Sequence, residues 1–188
     1  MKGVRLEDWL GKMAILVIPP EFYVRISSEL PVELIKEWGI EGVLVSANKP
    51  YLTVKESLMA LGILDKLIFV DCASRLAGSS PSGEKLVLIN NPANLTELTI
   101  SITKSVRILG ENCFLVFDSL TTLLIYSEVK LLTQFAHSLG LMLKANKVTS
   151  LFLAVEQETS KEMLSFLSTI ADNFVHLSVN EEGEVIIV

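Results

Sequence analysis

Hydrophobic positions along the chain fall into two alternating patterns: short unbroken apolar runs, and longer stretches in which apolar residues recur at helical spacing. Ala14-Ile-Leu-Val-Ile18 is an unbroken run stopped by Pro19 and Pro20, the pattern of a strand buried on both faces. Val43 to Ser46, Leu67 to Val70 ending at Asp71, Cys113 to Phe117 and Leu151 to Val155 repeat it. Between them the spacing predicts helices. Pro31 suits a first helical position, Leu34, Ile35 and Trp38 share a face, and Gly39 sits where a left-handed cap belongs. Thr53 and Glu56 have capping-box spacing ahead of a stripe of Val54, Leu58 and Leu61 closed by Gly62. Asn94 and Glu97 have it again, before Leu95, Leu98, Ile102, Val106 and Leu109, with Gly110 ending the helix. A longer helix occupies about Ser127 to Ala145, with Leu132, Phe135, Leu139 and Leu143 on one face, and Thr159 with Glu162 opens another bearing Met163, Phe166, Leu167 and Ile170.

Ser74 to Gly83 is rich in Ser, Gly and Pro without periodicity and predicts a mobile loop, followed by a short strand near Leu86 to Ile89. At the C-terminus, Phe174 to Val179 and Val185 to Val188 predict an antiparallel pair of edge strands turning at Asn180 to Gly183. Repeated strand–helix units imply right-handed crossovers and a mainly parallel sheet covered on both faces, so the fold class is a three-layer α/β sandwich. Ligands bind such sheets outside the carboxyl ends of the strands. That rule puts Pro19 to Tyr23, Ser46 to Lys49, Asp71 to Ser74, Asp118 to Thr122 and Glu156 to Glu158 on one edge.

The 188 residues suit one domain spanning 1–188, and 50% hydrophobic residues supply a large core. A net charge of −6 opposes non-specific binding to nucleic acid or to an anionic membrane. Met13 to Ile18 is far short of the roughly 20 apolar residues that span a bilayer, and no targeting signal precedes it. Cys72 and Cys113 have neither CxxC spacing nor neighbouring histidines, which predicts reduced, buried thiols in a cytoplasmic protein and no metal site.

Among candidate chemistry, Asp118 and Asp71 end strands and read first as turn caps, as does Ser119. Glu156, Gln157 and Glu158 read as a solvated loop, and His137 and His176 have no acid or thiol beside them in sequence. Ser79, Ser80 and Ser82 lack a nucleophile elbow, and Trp9, Trp38, Phe22 and Tyr23 lack the interleaved cations of a base-stacking platform.

Phe114-Leu-Val-Phe-Asp-Ser-Leu-Thr-Thr-Leu-Leu-Ile-Tyr126, the long helix after it and Thr149-Ser-Leu-Phe-Leu-Ala-Val155 resemble the Walker B strand and its successor in KaiC-like archaeal ATPases of the RecA-like P-loop fold. Ile170 to Leu177 is similar to the strand before that group's C-terminal hairpin, and Gly42 to Gly62 and Leu67 to Ser74 follow its element order. The resemblance implies a RecA-like domain, side-by-side assembly with itself or an active relative, and an Asp at 118 that orients magnesium.

A phosphate loop needs G-x-x-x-x-G-K-[ST], so that clustered amides wrap the phosphates while the lysine neutralises them. Ile18-Pro-Pro-Glu-Phe-Tyr-Val-Arg-Ile26 has neither glycine nor lysine, its prolines remove amide donors, and Glu21 repels a triphosphate. Gly11-Lys12 precedes the strand, with Leu6 at the first-glycine position and Met13 in place of the hydroxyl. Ala47, Asn48 and Lys49 stand where the resemblance implies an acidic base. These departures predict a non-catalytic RecA-like homologue without catalytic residues, metal or cofactor, acting through a protein partner or self-association. Its candidate crevice comprises Pro19, Glu21, Phe22, Tyr23, Asn48, Lys49, Asp118, Ser119 and Glu156. Two alternatives stay open: a small-ligand or peptide binder using that crevice, and an ATP-binding enzyme with an aberrant loop served by Arg25 or Lys49.

Overall fold

The computed structural model describes residues 6–180 and 185–187. An eight-stranded sheet runs β4-β3-β2-β5-β6-β1-β7-β8, formed by β1 (Met13–Ile18), β2 (Gly42–Ser46), β3 (Leu67–Asp71), β4 (Leu86–Leu88), β5 (Phe114–Asp118), β6 (Thr149–Val155), β7 (Asn173–Val179) and β8 (Val185–Ile187). All pairings are parallel except β7 with β8. Among the described residues, six α-helices cover it: α1 (Pro20–Trp38), α2 (Tyr51–Ala60), α3 (Leu95–Leu109), α4 (Leu120–Leu123), α5 (Val129–Ala145) and α6 (Lys161–Ile170).

Two cores lie on opposite faces of the sheet. Met13, Ile15 and Val17 join α3, α5 and α6 in one, while Ala14, Leu16 and Ile18 join α1 and α2 in the other. Both parities of β1 are therefore buried, which is why its sequence is apolar throughout. Gly42 is required by packing between strands, since a Cβ there would lie 2.3 Å from the Phe114 ring.

Several element ends differ from the sequence reading, each for a local reason. α1 begins at Pro20 and carries Pro31 inside it, so Glu21, Phe22 and Tyr23 lie on a helix's first turn. A single residue, Pro19, separates it from β1. An interior proline costs a helix about 3 kcal/mol, but Tyr23, Ile26, Leu30 and Leu34 are buried on both sides of Pro31, and that burial outweighs the penalty. The helix does end at Gly39, at φ 64°.

α2 starts at Tyr51 after Pro50, so no Thr53–Glu56 capping box forms; Leu58 is buried, Val54 only half-buried, and Leu61 exposed. α6 is capped by Ser160, whose hydroxyl accepts from the Met163 amide, because Thr159 turns inward. Asn94 caps α3 as its spacing predicts, accepting from the Glu97 amide. Only β8 is an edge strand at the C-terminal side, since β7 pairs with β1 on its other flank. Of the predicted turn between them, Glu181, Glu182 and Gly183 lie outside the described residues. The Ser74–Gly83 segment opens with hydrogen-bonded turns, Ala77 to Ala73 and Ser79 to Ser74 among them.

Candidate functional site

β2 and β5 are neighbours, but the chain leaves β2 toward β3 and leaves β5 toward β6, on opposite sides. This is the switch point at which an α/β sheet opens a crevice beyond its strand ends. Ser46, the last residue of β2, stands in register with Asp71 on one side and Asp118 on the other.

At the switch point four of the expected residues meet. The Tyr23 hydroxyl, on the first turns of α1, donates to Asp118 Oδ1, and Asn48 Nδ2 donates to the same phenolic oxygen at 3.0 Å. Lys49 Nζ lies 5.6 Å from the centre of the Tyr23 ring and donates to Ser27 Oγ at 2.7 Å. Ser46 holds the Lys49 backbone: its hydroxyl donates to the Lys49 carbonyl at 2.7 Å and accepts from the Lys49 amide at 3.2 Å. Burial raises the Asp118 carboxyl above the usual carboxylate range, opposed by the Tyr23 hydrogen bond and the Lys49 charge. Burial, with the Asp118 charge beside it, likewise raises the Tyr23 phenol, so its proton stays on the tyrosine oxygen.

The remaining expected residues stand apart from this network. Pro19 precedes α1 without a side-chain cap, Glu21 points to solvent, and Phe22 packs half-buried against the α1–α2 core. Ser119 is buried and caps α4, accepting from the Thr122 amide at 3.3 Å. Glu156 is exposed beside His176, at 3.6 Å. Arg25 pairs with Glu29 along α1 at 3.0 Å.

Ser27 belongs to the site, although no motif in the sequence marks it. It lies one turn beyond Tyr23 on α1, a spacing that points to a shared face once the helix is known to start at Pro20. Thr121, within the Asp118–Thr122 stretch of that edge, ties α4 to the end of β6: its hydroxyl accepts from the Val155 amide at 2.8 Å and meets Thr159 Oγ1 at 2.8 Å.

Two cavities flank the network. A cavity of about 710 Å³ extends over the ends of β2, β3 and β5, lined by Ala47, Asn48, Leu76, Thr121, Ile125 and Glu158 among others. A smaller one of about 240 Å³ lies between α1 and α2. Neither is lined by Pro19, Phe22 or Tyr23.

Cys72 is fully buried, and burial together with the Asp71 and Glu97 charges pushes its thiol up to about 12, which leaves it unreactive. Among the described residues no group of three or more His, Cys, Asp and Glu side chains could hold a metal ion, and no helix is long and apolar enough to cross a membrane.

Many solved structures share this fold, two from Pyrococcus horikoshii among them. A KaiC-like protein of Pyrococcus horikoshii OT3 superposes with a TM-score of 0.64 at 16% identity, covering 95% of this chain and 78% of that one. An uncharacterised protein of Pyrococcus horikoshii, solved in complex with an unknown peptide, gives 0.67 at 14% identity, with 94% and 84% covered. Among curated proteins none matches. The RecA-like architecture expected from the Asp118-Ser119 strand is thus present. The family model described as ATPase: KaiC matches residues 27–187, and the chain belongs to that family.

Proposed function

We propose that this KaiC-family domain is non-catalytic and acts as an interaction or regulatory protein, by self-association or with a protein partner in the cytoplasm. The observation that carries the reading is the filled strand end: the Tyr23 hydroxyl takes an acceptor site of Asp118, and Pro19 alone joins β1 to α1. A nucleotide with magnesium does not fit these residues. Phosphates need consecutive backbone amides on a loop wide enough to wrap them, and Pro19 and Pro20 carry no amide hydrogen. Magnesium needs an open carboxylate together with phosphate oxygens, whereas this carboxylate is hydrogen-bonded, 4% exposed as a residue, and driven by burial toward its neutral form. Of the cations an aberrant loop would use, Arg25 is paired with Glu29 and Lys49 lines the cavity between α1 and α2.

Titration calorimetry with ATP, with and without magnesium, tests this reading. No saturable heat up to millimolar nucleotide is expected, and native mass spectrometry should find an assembly whose mass ATP does not alter. Magnesium-dependent binding in the micromolar range would instead establish an ATP-binding enzyme.

The 710 Å³ cavity supports a second reading, a peptide or small-ligand site at the switch point. Its size suits such a ligand, its lining mixes Leu76 and Ile125 with Asn48 and Thr122, and one structural relative was solved with a peptide. Broadening of Ala47, Ala73 and Ile125 resonances by a peptide library, lost on Ala47→Trp, would favour it.

A further inference from the structure

The smaller cavity has a construction of its own. Leu44, Leu58, Phe69 and Pro31 form apolar walls under α1 and α2, and Ser27, Lys49 and Asp118 gather among its polar lining. Val24, Ser57 and Leu61 stand at its exposed mouth. At about 240 Å³ it exceeds the roughly 150 Å³ that admits a benzene ring, so a ring with a short chain fits and a folded peptide segment does not.

The polar end carries an ammonium with donors to spare. Lys49 Nζ has three N–H groups, and among the described residues one donates to Ser27 Oγ. Ser46 clamps the Lys49 backbone from both sides, and the Ser27 hydroxyl holds the ammonium at 2.7 Å. Asp118, the other charged group in the lining, is engaged by the Tyr23 hydroxyl through Oδ1. An apolar slot ending in a held cation selects a ligand with one anionic head and an apolar body.

We infer that the α1–α2 crevice binds a small monocarboxylate with a short aromatic or aliphatic tail, its carboxylate taken by the Lys49 ammonium and its tail laid against Leu44, Leu58 and Phe69. The site is separate from the 710 Å³ cavity and takes no part in holding a nucleotide.

The test uses 3-phenylpropanoate and the neutral, similarly shaped 3-phenylpropan-1-ol as probes, followed through the methyl resonances of Leu44, Val54 and Leu58. The acid should shift them saturably, and the alcohol should bind about tenfold more weakly, as expected for loss of a charge-assisted hydrogen bond. Lys49→Met should bring the acid down to the alcohol's affinity. Ser57→Phe, at the exposed mouth on α2, should close the crevice to both without disturbing the core. Absence of saturable shifts at these methyls, equal affinity for acid and alcohol, or full acid binding by folded Lys49→Met would each overturn the proposal. If Lys49→Met does not fold, the wild-type contrast between the probes and its loss in Ser57→Phe still decide it.

Discussion

Asp71 and Asp118 end the two parallel strands that flank β2, and Ser46 at the end of β2 is in register with both. From sequence they look alike, each the last residue of an apolar run. Their surroundings separate them. The Asp71 carboxylate is consumed by nearby chain: Oδ1 accepts from the Ala73 and Ser74 amides at 2.8 Å, and Oδ2 from the Tyr51 amide at 2.8 Å and the Ser74 hydroxyl at 2.5 Å. It is a structural cap that shapes the turn after β3 and fixes the start of α2. Asp118 accepts instead from a phenol contributed by a distant helix, and its surroundings include a cation and a cavity. One strand-end aspartate therefore organises the fold, and the other sits at the switch point, hydrogen-bonded by Tyr23.

The largest consequence should follow from Asp71→Ala. Removing a fully buried acceptor strands several buried donors, and a loss of about 3–5 kcal/mol is expected in urea unfolding, read as a lower midpoint at unchanged slope. A loss below about 1 kcal/mol would make the two aspartates equivalent. Tyr23→Phe should cost less, about 2 kcal/mol, since one donor to a buried carboxylate is lost while exposed Asn48 turns to water.

Asp118→Asn sharpens the contrast through pH. Burial holds this carboxyl above the range it occupies in the unfolded chain, so between those two values the native state binds more protons and stability falls as pH rises. The asparagine variant lacks that slope. Its stability relative to wild type should therefore improve as pH rises from the usual carboxylate range toward neutrality; a constant difference would remove burial as the dominant influence. The smallest effect belongs to Glu156→Gln. Its contact with His176 is about half exposed, and a change under about 0.5 kcal/mol is expected.

Much of the fold is legible locally. β1, β5 and β6 are buried on both faces and so are apolar at every step or nearly so, which a single pass along the chain detects. Gly39 and Asn94 mark helix ends through chemistry confined to one turn. The start of α1 is not legible in that way, because Pro31 fits a helix start as well as Pro20 does, and only packing of Tyr23 and Ile26 against the sheet decides between them. The candidate site is legible in part. The strand-end rule brings Tyr23, Asn48, Lys49 and Asp118 to one edge, but the Tyr23–Asp118 hydrogen bond spans 95 residues and carries no local signature. Ser27 depends on the helix phase that Pro31 obscured, and the α1–α2 crevice depends on Ser27 and Lys49 together.

Closure of the end of β1 to triphosphate is the central claim to test. Backbone amide spectra recorded during titration with ATP and magnesium address that point residue by residue. The amides of Glu21, Phe22, Tyr23 and Ser119 should stay in place at millimolar nucleotide. Saturable shifts at those residues, steepened by magnesium and lost in Asp118→Asn, would contradict that closure.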